Sequence, residues 1–393
     1  MIIKNSKIRS RLKTISFYSL SQVLGVFSVL LLSFIIIRFH TSELWGRYSE
    51  ILIWSNFFIL FLGFGSRDYL LKAFSQSPAV IYKNWINNTI TRSLLLIPCF
   101  LILYLIPVFK DLEILIFILI GIQFLNQSFK VLILFHRDFK FNIYVEILYN
   151  LFLITYLFSI NSIQIEKLII LISVMQSIKF ICYILYYSKK FRNIKYQIQF
   201  NSIKESIPFF IPLVIGTIRV KIDAYYGTFF FDFNTLSKYQ VFLSFLMLAQ
   251  MGSSFVLNPF LKNFYRSKDL LIYKLKKQLF WLGFPFSLLI TGGMYIIIEY
   301  IYKLQFTILH YAFAFIYMIP LFLHMLLVNE YYKKNLQSKI AIMAVFLTLF
   351  QAILGYYLIK NWNINGALIL KTIGQWSIVI ILWLWIKRKN IIS

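Results

Sequence analysis

Twelve apolar runs of about twenty residues, each closed by a charged or turn-forming cluster, constrain this chain more than any other feature. A run of that length crosses bilayer hydrocarbon as a helix rising about 1.5 Å per residue, and inside hydrocarbon the backbone must satisfy its own hydrogen bonds. The runs lie at 15–37, 48–65, 91–108, 114–135, 143–160, 167–187, 207–229, 240–258, 279–298, 307–328, 340–359 and 364–386. They predict an all-α polytopic membrane protein of about twelve transmembrane helices. Hydrophobic residues make up 60% of the chain and charged residues 14%, which excludes an ordinary soluble domain.

The first thirteen residues carry Lys4, Lys7, Arg9, Arg11 and Lys13 with no acid, and the long run after them lacks a small-residue cleavage site. That reads as a retained anchor with the N-terminus inside, and an even number of spans returns the C-terminus to the same side. Counting residues at span ends with the adjoining loop, cytoplasmic segments carry 28 of the 40 Lys and Arg and outer loops carry 7. The formal charge of +26 therefore records membrane orientation and a face for anionic phospholipids, with no call for a nucleic-acid partner. Every outer loop is short, so binding or transport must occur among the helices. Cys99 and Cys182 match no metal or redox spacing and read as packing residues.

Ionisable groups inside the runs are expensive and mark the sites worth weighing. The run at 206–230 holds Arg219, Lys221 and Asp223, with Arg219 near the middle of the bilayer. Arg219 and Asp223, four apart, share a helix face, while Lys221 points to the other side. One reading is a neutralised Arg219 and Asp223 pair with Lys221 snorkelling to a headgroup; the other is a cation lining a cavity. In the fourth run Gln123, Asn126, Gln127 and Lys130 form one helical stripe, suited either to interhelical hydrogen bonds or to a wet cavity. Lys130 also lies within snorkelling reach of the cytoplasmic end. Glu146 and Asn150 follow at i, i+4 spacing in the fifth run, with Glu146 near enough to the edge to be read as solvated. Gln176 and Lys179 share a side of the sixth run, and Lys371 lies about two turns inside the twelfth. His310 and His324 read as hydrogen-bonded interior residues.

The chain also seems to start twice. Sliding it by 191 residues places Gly25 on Gly216, Arg47 and Tyr48 on Lys238 and Tyr239, and Phe64 on Phe255. This predicts two six-helix lobes in parallel orientation, 1–187 and 207–393, joined by a basic cytoplasmic linker at 188–206. After the second run, residues 66–88 carry Tyr69, Leu70, Leu71 and Phe74 beside Lys72 and read as an amphipathic elbow at the membrane surface. Asn258 and Pro259 close the eighth run, and the basic segment at 262–278 matches that elbow in the second half. The turn at 40–48 offers Trp45 and Tyr48 as interfacial aromatics.

No phosphate-binding glycine motif, metal cluster, ATPase domain or catalytic constellation appears, so no enzyme activity and no cofactor are expected. Excess cationic charge among helices suits a route for an anionic, amphipathic substrate whose phosphates pair with Arg or Lys. Here the sequence resembles a known family. Trp45, Gly46, Arg47 and Tyr48, then Phe64 and Gly65, Pro208, the segment from Asp223 to Gly227, Tyr239 and Pro259 resemble the punctuation of Wzx-type polysaccharide flippases, in the superfamily of MATE multidrug exporters and lipid II flippases. Ser237 stands where a glycine is common in such proteins, and no acid precedes Phe64.

The resemblance implies two MATE-like lobes, a central cationic cavity and alternating access in the bacterial cytoplasmic membrane. It implies an undecaprenyl-diphosphate-linked oligosaccharide as substrate, moved from the inner to the outer leaflet for O-antigen, capsule or exopolysaccharide assembly. A polysaccharide polymerase and a chain-length regulator are the implied partners. Arg219 is then the expected diphosphate ligand with Asp223 orienting it, Arg67 an attractor of headgroups at the inner entrance, and Lys130, Lys179, Lys221 and Lys371 further substrate cations. Gln123, Asn126, Gln127 and Asn150 are the expected polar lining. The competing readings are a MATE-like cation antiporter, which needs buried carboxylates, a membrane-embedded polymerase or ligase, and an assembly scaffold.

Overall fold

In the computed structural model, the described residues are 2–106, 109–160, 162–192, 194, 196–257, 269–334 and 336–392. The expected cap at Asn258 and Pro259 and much of the basic segment at 262–278 lie outside them. Among the described residues there is no strand, and each of the twelve apolar runs is helical over most of its described length. Nine stretches among the described residues are long and apolar enough to cross a membrane, one of them spanning residues 339–385 across a break. The chain is a multi-pass, all-α membrane protein.

It divides into two compact units, Met1–Val214 and Ile215–Ser393. The first holds α1 (Ile2–Phe39), α2 (Ser42–Gly63), α3 (Ser66–Gln76), α4 (Ile81–Ser93), α5 (Leu96–Tyr104), α6 (Glu113–His136), α7 (Phe139–Phe158) and α8 (Ile165–Phe191). The division falls inside α9 (Phe200–Phe230). The second unit continues with α10 (Phe233–Leu257), α11 (Asp269–Ile296), α12 (Ile308–Met318), α13 (Leu321–Lys333) and α14 (Gln337–Ile392). α14 leaves helical geometry at Asn363 (φ 46°, ψ −127°), between the two runs expected there. The internal repeat appears in the helix ends: α1 stops at Phe39 and α9 at Phe230, α2 starts at Ser42 and α10 at Phe233, each 191 residues on.

Local signals explain these boundaries. Thr41 caps α2 by accepting from the Leu44 N–H at 3.1 Å, and Phe64 ends the helix in the left-handed region. Gly65 follows with φ +70°, so two consecutive left-handed residues turn the chain sharply into α3. Pro208 and Pro212 sit inside α9, as helices in bilayers tolerate where neighbours satisfy the freed carbonyls.

Three expectations change here. Trp45 and Tyr48 are buried inside the first unit, so they pack against protein and present no ring to a headgroup. The elbow is amphipathic, but Leu70 and Phe74 pack with Trp85, Phe129, Tyr183 and Tyr187, so its apolar face meets protein. Residues near 88, expected in a cytoplasmic connection, belong to a buried helical face of α4 comprising Asn87, Asn88, Thr91 and Arg92. Spacing of four puts these polar groups on one stripe, and the segment after α8 lies across it. The Gln197 N–H donates to Asn87 Oδ1 (2.8 Å) and the Gln199 N–H to Thr91 Oγ1 (2.9 Å). The 188–206 segment is therefore tied to the first unit over its later part.

The start of α9 is gripped as well. Arg92, fully buried, donates from Nε to the Gly63 carbonyl (3.0 Å) and from Nη2 to Ser206 Oγ (2.6 Å). Phe64 stacks on Phe210 with centroids 4.0 Å apart, and the Tyr69 hydroxyl donates to Glu205 at 3.0 Å. A Cβ on Gly65 would lie 2.9–3.2 Å from the backbone of Ser206, Phe209 and Phe210. Gly65→Ala is therefore expected to lower the melting temperature in detergent, its positive φ alone costing about 1–2 kcal/mol. Gly63→Ala, with open space around it, should leave the melting temperature unchanged or raise it.

Candidate functional site

In the first unit, four ionisable residues from four helices converge. Lys179 on α8 is buried and ion-paired to Glu146 on α7, with its ammonium 5.6 Å over the Tyr149 ring. Glu146 is thus a buried counter-charge and not the solvated edge residue its position suggested; a lysine held in apolar surroundings requires one. Lys130 on α6 is exposed, within electrostatic reach of Lys179, Glu146 and Arg67. Arg67 is exposed in the first turn of α3.

The polar stripe of α6 splits in use. Asn126 is buried and donates to the Gln176 carbonyl and side-chain oxygen on α8, both at 2.9 Å. Asn150 donates to Ser28 Oγ on α1 at 2.7 Å. These two amides hold helices together. Gln127 is exposed beside Lys130, and Gln123 is half-buried.

In the second unit, Arg219, Asp223 and Lys371 line one small cavity with Gln250, Tyr317 and Gln375. Its volume is about 30 Å³, space for water and not for a sugar phosphate, so a larger ligand requires the helices around it to part. Asp223 lies at its wall with 2% exposure. The expected Arg219 and Asp223 pair is absent among the described residues. The Lys371 ammonium from α14 instead reaches both Asp223 oxygens, at 2.9 and 3.1 Å, and the Val220 carbonyl at 3.0 Å, while the Tyr239 hydroxyl donates to the same carboxylate. The physical reason is reach: four residues along a helix bring two side chains near each other, but a lysine entering from a facing helix meets the carboxylate head on. Arg219 stands half-buried near Tyr317 and His324, and among the described residues it has no ion-pair or hydrogen-bond partner. Lys221, two residues on, does not line this cavity. His324 is hydrogen-bonded to Gln375 at 3.1 Å and His310 caps α12 through Thr307, both in the interior roles expected of them.

Sequence reasoning missed four buried ionisable groups because all lie at or just outside span ends: Arg92, the clamp on α9, Glu50 in α2, and Lys276 on α11 with its ion-pair partner Glu330 on α13. Arg92 had a signal in the i, i+4 stripe of Asn88 and Arg92 beside Asn87 and Thr91.

No family model matches the chain, and no curated protein matches it. Solved structures do. A structure described as lipid II flippase MurJ in an inward closed conformation superposes with a TM-score of 0.71 at 19% identity, covering 95% of this chain and 86% of that one. An inward-facing multidrug resistance MATE family transporter of the MOP superfamily gives 0.58 at 12% identity, covering 96% and 94%. A MATE crystal structure in complex with Br-NRF gives 0.53 at 12%, covering 96% and 95%. At such identities the likeness establishes the fold: the chain has the MATE-like fold shared by these transporters and the flippase.

The pairing inside the second unit is testable by stability. Lys371→Met strands a buried carboxylate, and breaking a buried pair costs about 3–5 kcal/mol. The Lys371→Met, Asp223→Asn double variant should melt above the single Lys371→Met variant, and strictly additive losses would show that the two groups do not interact.

Proposed function

We propose that the protein is a flippase that carries undecaprenyl-diphosphate-linked oligosaccharide units from the inner to the outer leaflet of a bacterial cytoplasmic membrane, for O-antigen, capsule or exopolysaccharide assembly. The observation that carries the reading is Arg219. Asp223 is occupied by Lys371, so the charge of Arg219 is left for a ligand, and a planar guanidinium matches a diphosphate with two parallel hydrogen bonds. The exposed Lys130 and Arg67 of the first unit supply further positive charge toward which an anionic headgroup is drawn. The fold shared with a lipid-linked flippase supports the same class of cargo. The small cavity around Arg219, which must open to admit a headgroup, supports alternating access as the route.

Cation antiport, the reading suggested by the MATE transporters of the same fold, has one observation in its favour. Glu50 in α2 is buried with no ion-pair partner among the described residues, as a proton-carrying carboxylate would be. Glu146 and Asp223, the two acids expected in the spans, are each held by a lysine.

Proteoliposomes loaded with a short-sugar undecaprenyl-diphosphate lipid separate the two. Translocation is expected with the wild type, and Arg219→Ala should reduce it at least tenfold while leaving the melting temperature within a few degrees. Arg219→Lys should be impaired too, because the fork geometry is lost. Absent lipid movement together with cation efflux that Glu50→Gln abolishes would replace the flippase reading with antiport.

A further inference from the structure

A second built cavity lies elsewhere in the second unit, where the turns at one end of its helices meet. It is an open groove of about 570 Å³, within the range of small-molecule sites, bordered by the first turns of α10, the connection between α11 and α12, and the break in α14. On the topology implied by the basic segments, all three turns face outward.

The connection is constructed with some care. Ile297–Tyr302 is a π-helical turn, a geometry concentrated at functional positions, and Lys303 ends it in the left-handed region (φ 56°). The wider turn places Glu299 where Oε1 accepts from the Phe306 N–H (3.0 Å) and the Tyr311 hydroxyl (2.9 Å). Thr307 and His310 then cap α12 reciprocally. Phe306 is fixed between the rings of Phe242 and His310, with centroids 5.2 and 5.3 Å away. A rigid aromatic side chain therefore borders the groove, ringed by Lys238, Glu299, Gln305, Thr235 and Thr307.

This lining selects by chemistry. One lysine and one glutamate balance, so a diphosphate, which calls for converging cations, is poorly matched. For an organic cation, Lys238 offsets the one carboxylate, whose Oε1 already accepts two hydrogen bonds, and among the described residues no group of three metal-binding side chains forms. The Gln305 amide and a balanced charge pair beside an aromatic ring suit a neutral polyol, whose C–H face lies on the ring while its hydroxyls take donors and acceptors at the rim.

We infer that this groove binds sugar residues of the translocated lipid's glycan at the exit side of the protein. The inference deepens the flippase reading and rests on it for the source of the sugar. Arg219 holds the diphosphate end, and the groove receives the saccharide end.

Saturation-transfer NMR on the purified full chain in nanodiscs tests it, using three free neutral probes: N,N′-diacetylchitobiose, mannotriose and lactose. At least one should bind with millimolar affinity. Lys238→Ala with Gln305→Ala should weaken it at least tenfold, and Arg219→Ala should leave it unchanged. Saturation of none of the three, or equal saturation in the Lys238 and Gln305 variant, overturns the groove. Glycan binding without lipid translocation in proteoliposomes would instead leave the groove standing and remove the flippase reading. Arg219-dependent translocation with no glycan bound would do the reverse.

Discussion

A carboxylate in the middle of an apolar helix has to be met by charge from another helix, and in this protein that requirement organises the second unit. Asp223 on α9 is reached by Lys371 from α14 and by Tyr239 from α10, so three helices close on one buried group. The interaction is stabilising only because both partners are present; in hydrocarbon each ion alone carries a desolvation penalty of several kcal/mol. Its consequence for function is indirect. With Asp223 occupied, the neighbouring Arg219 faces a cavity with its charge uncompensated among the described residues.

The first unit meets the same constraint with different partners. Lys179 on α8 is neutralised by Glu146 on α7, and Arg92 donates from Nε to the Gly63 carbonyl and from Nη2 to Ser206. Arg92 also fixes the start of α9, together with the stacked Phe64 and Phe210 and the close approach of Gly65. The helix that carries Arg219, Lys221 and Asp223 therefore begins in a clamp made by α2, α3 and α4. Pro208 lies within the clamped stretch, and beyond it come Pro212 and then the charged segment.

Much of this was legible before any coordinates. Apolar run length located the helices, because only a helix satisfies a backbone in hydrocarbon, and the 191-residue offset reappears in the helix ends at Phe39 and Phe230. Arg219, Asp223 and Lys371 stood out as charges in apolar runs and do share a cavity. Who pairs with whom was not legible. Spacing along one helix suggested Arg219 for Asp223, while the actual partner lies 148 residues away and depends on tertiary packing. Glu146 was misjudged and Arg92 missed for a related reason: a position near a span end says nothing of whether a neighbouring helix covers it. The groove beside Phe306 left almost no trace, since its lining comes from three separate turns and its shape from a π-helical turn that no periodicity announces.

The central claim is that Arg219 remains a free cation for a diphosphate because Lys371 takes Asp223. Native mass spectrometry of the purified protein with undecaprenyl diphosphate and with undecaprenol, neither carrying sugar, addresses it without requiring the right glycan or any transport. The account predicts that the wild type retains the diphosphate at least tenfold better than the alcohol and that Arg219→Gln loses most of this preference. Equal retention of the diphosphate by wild type and Arg219→Gln would contradict it.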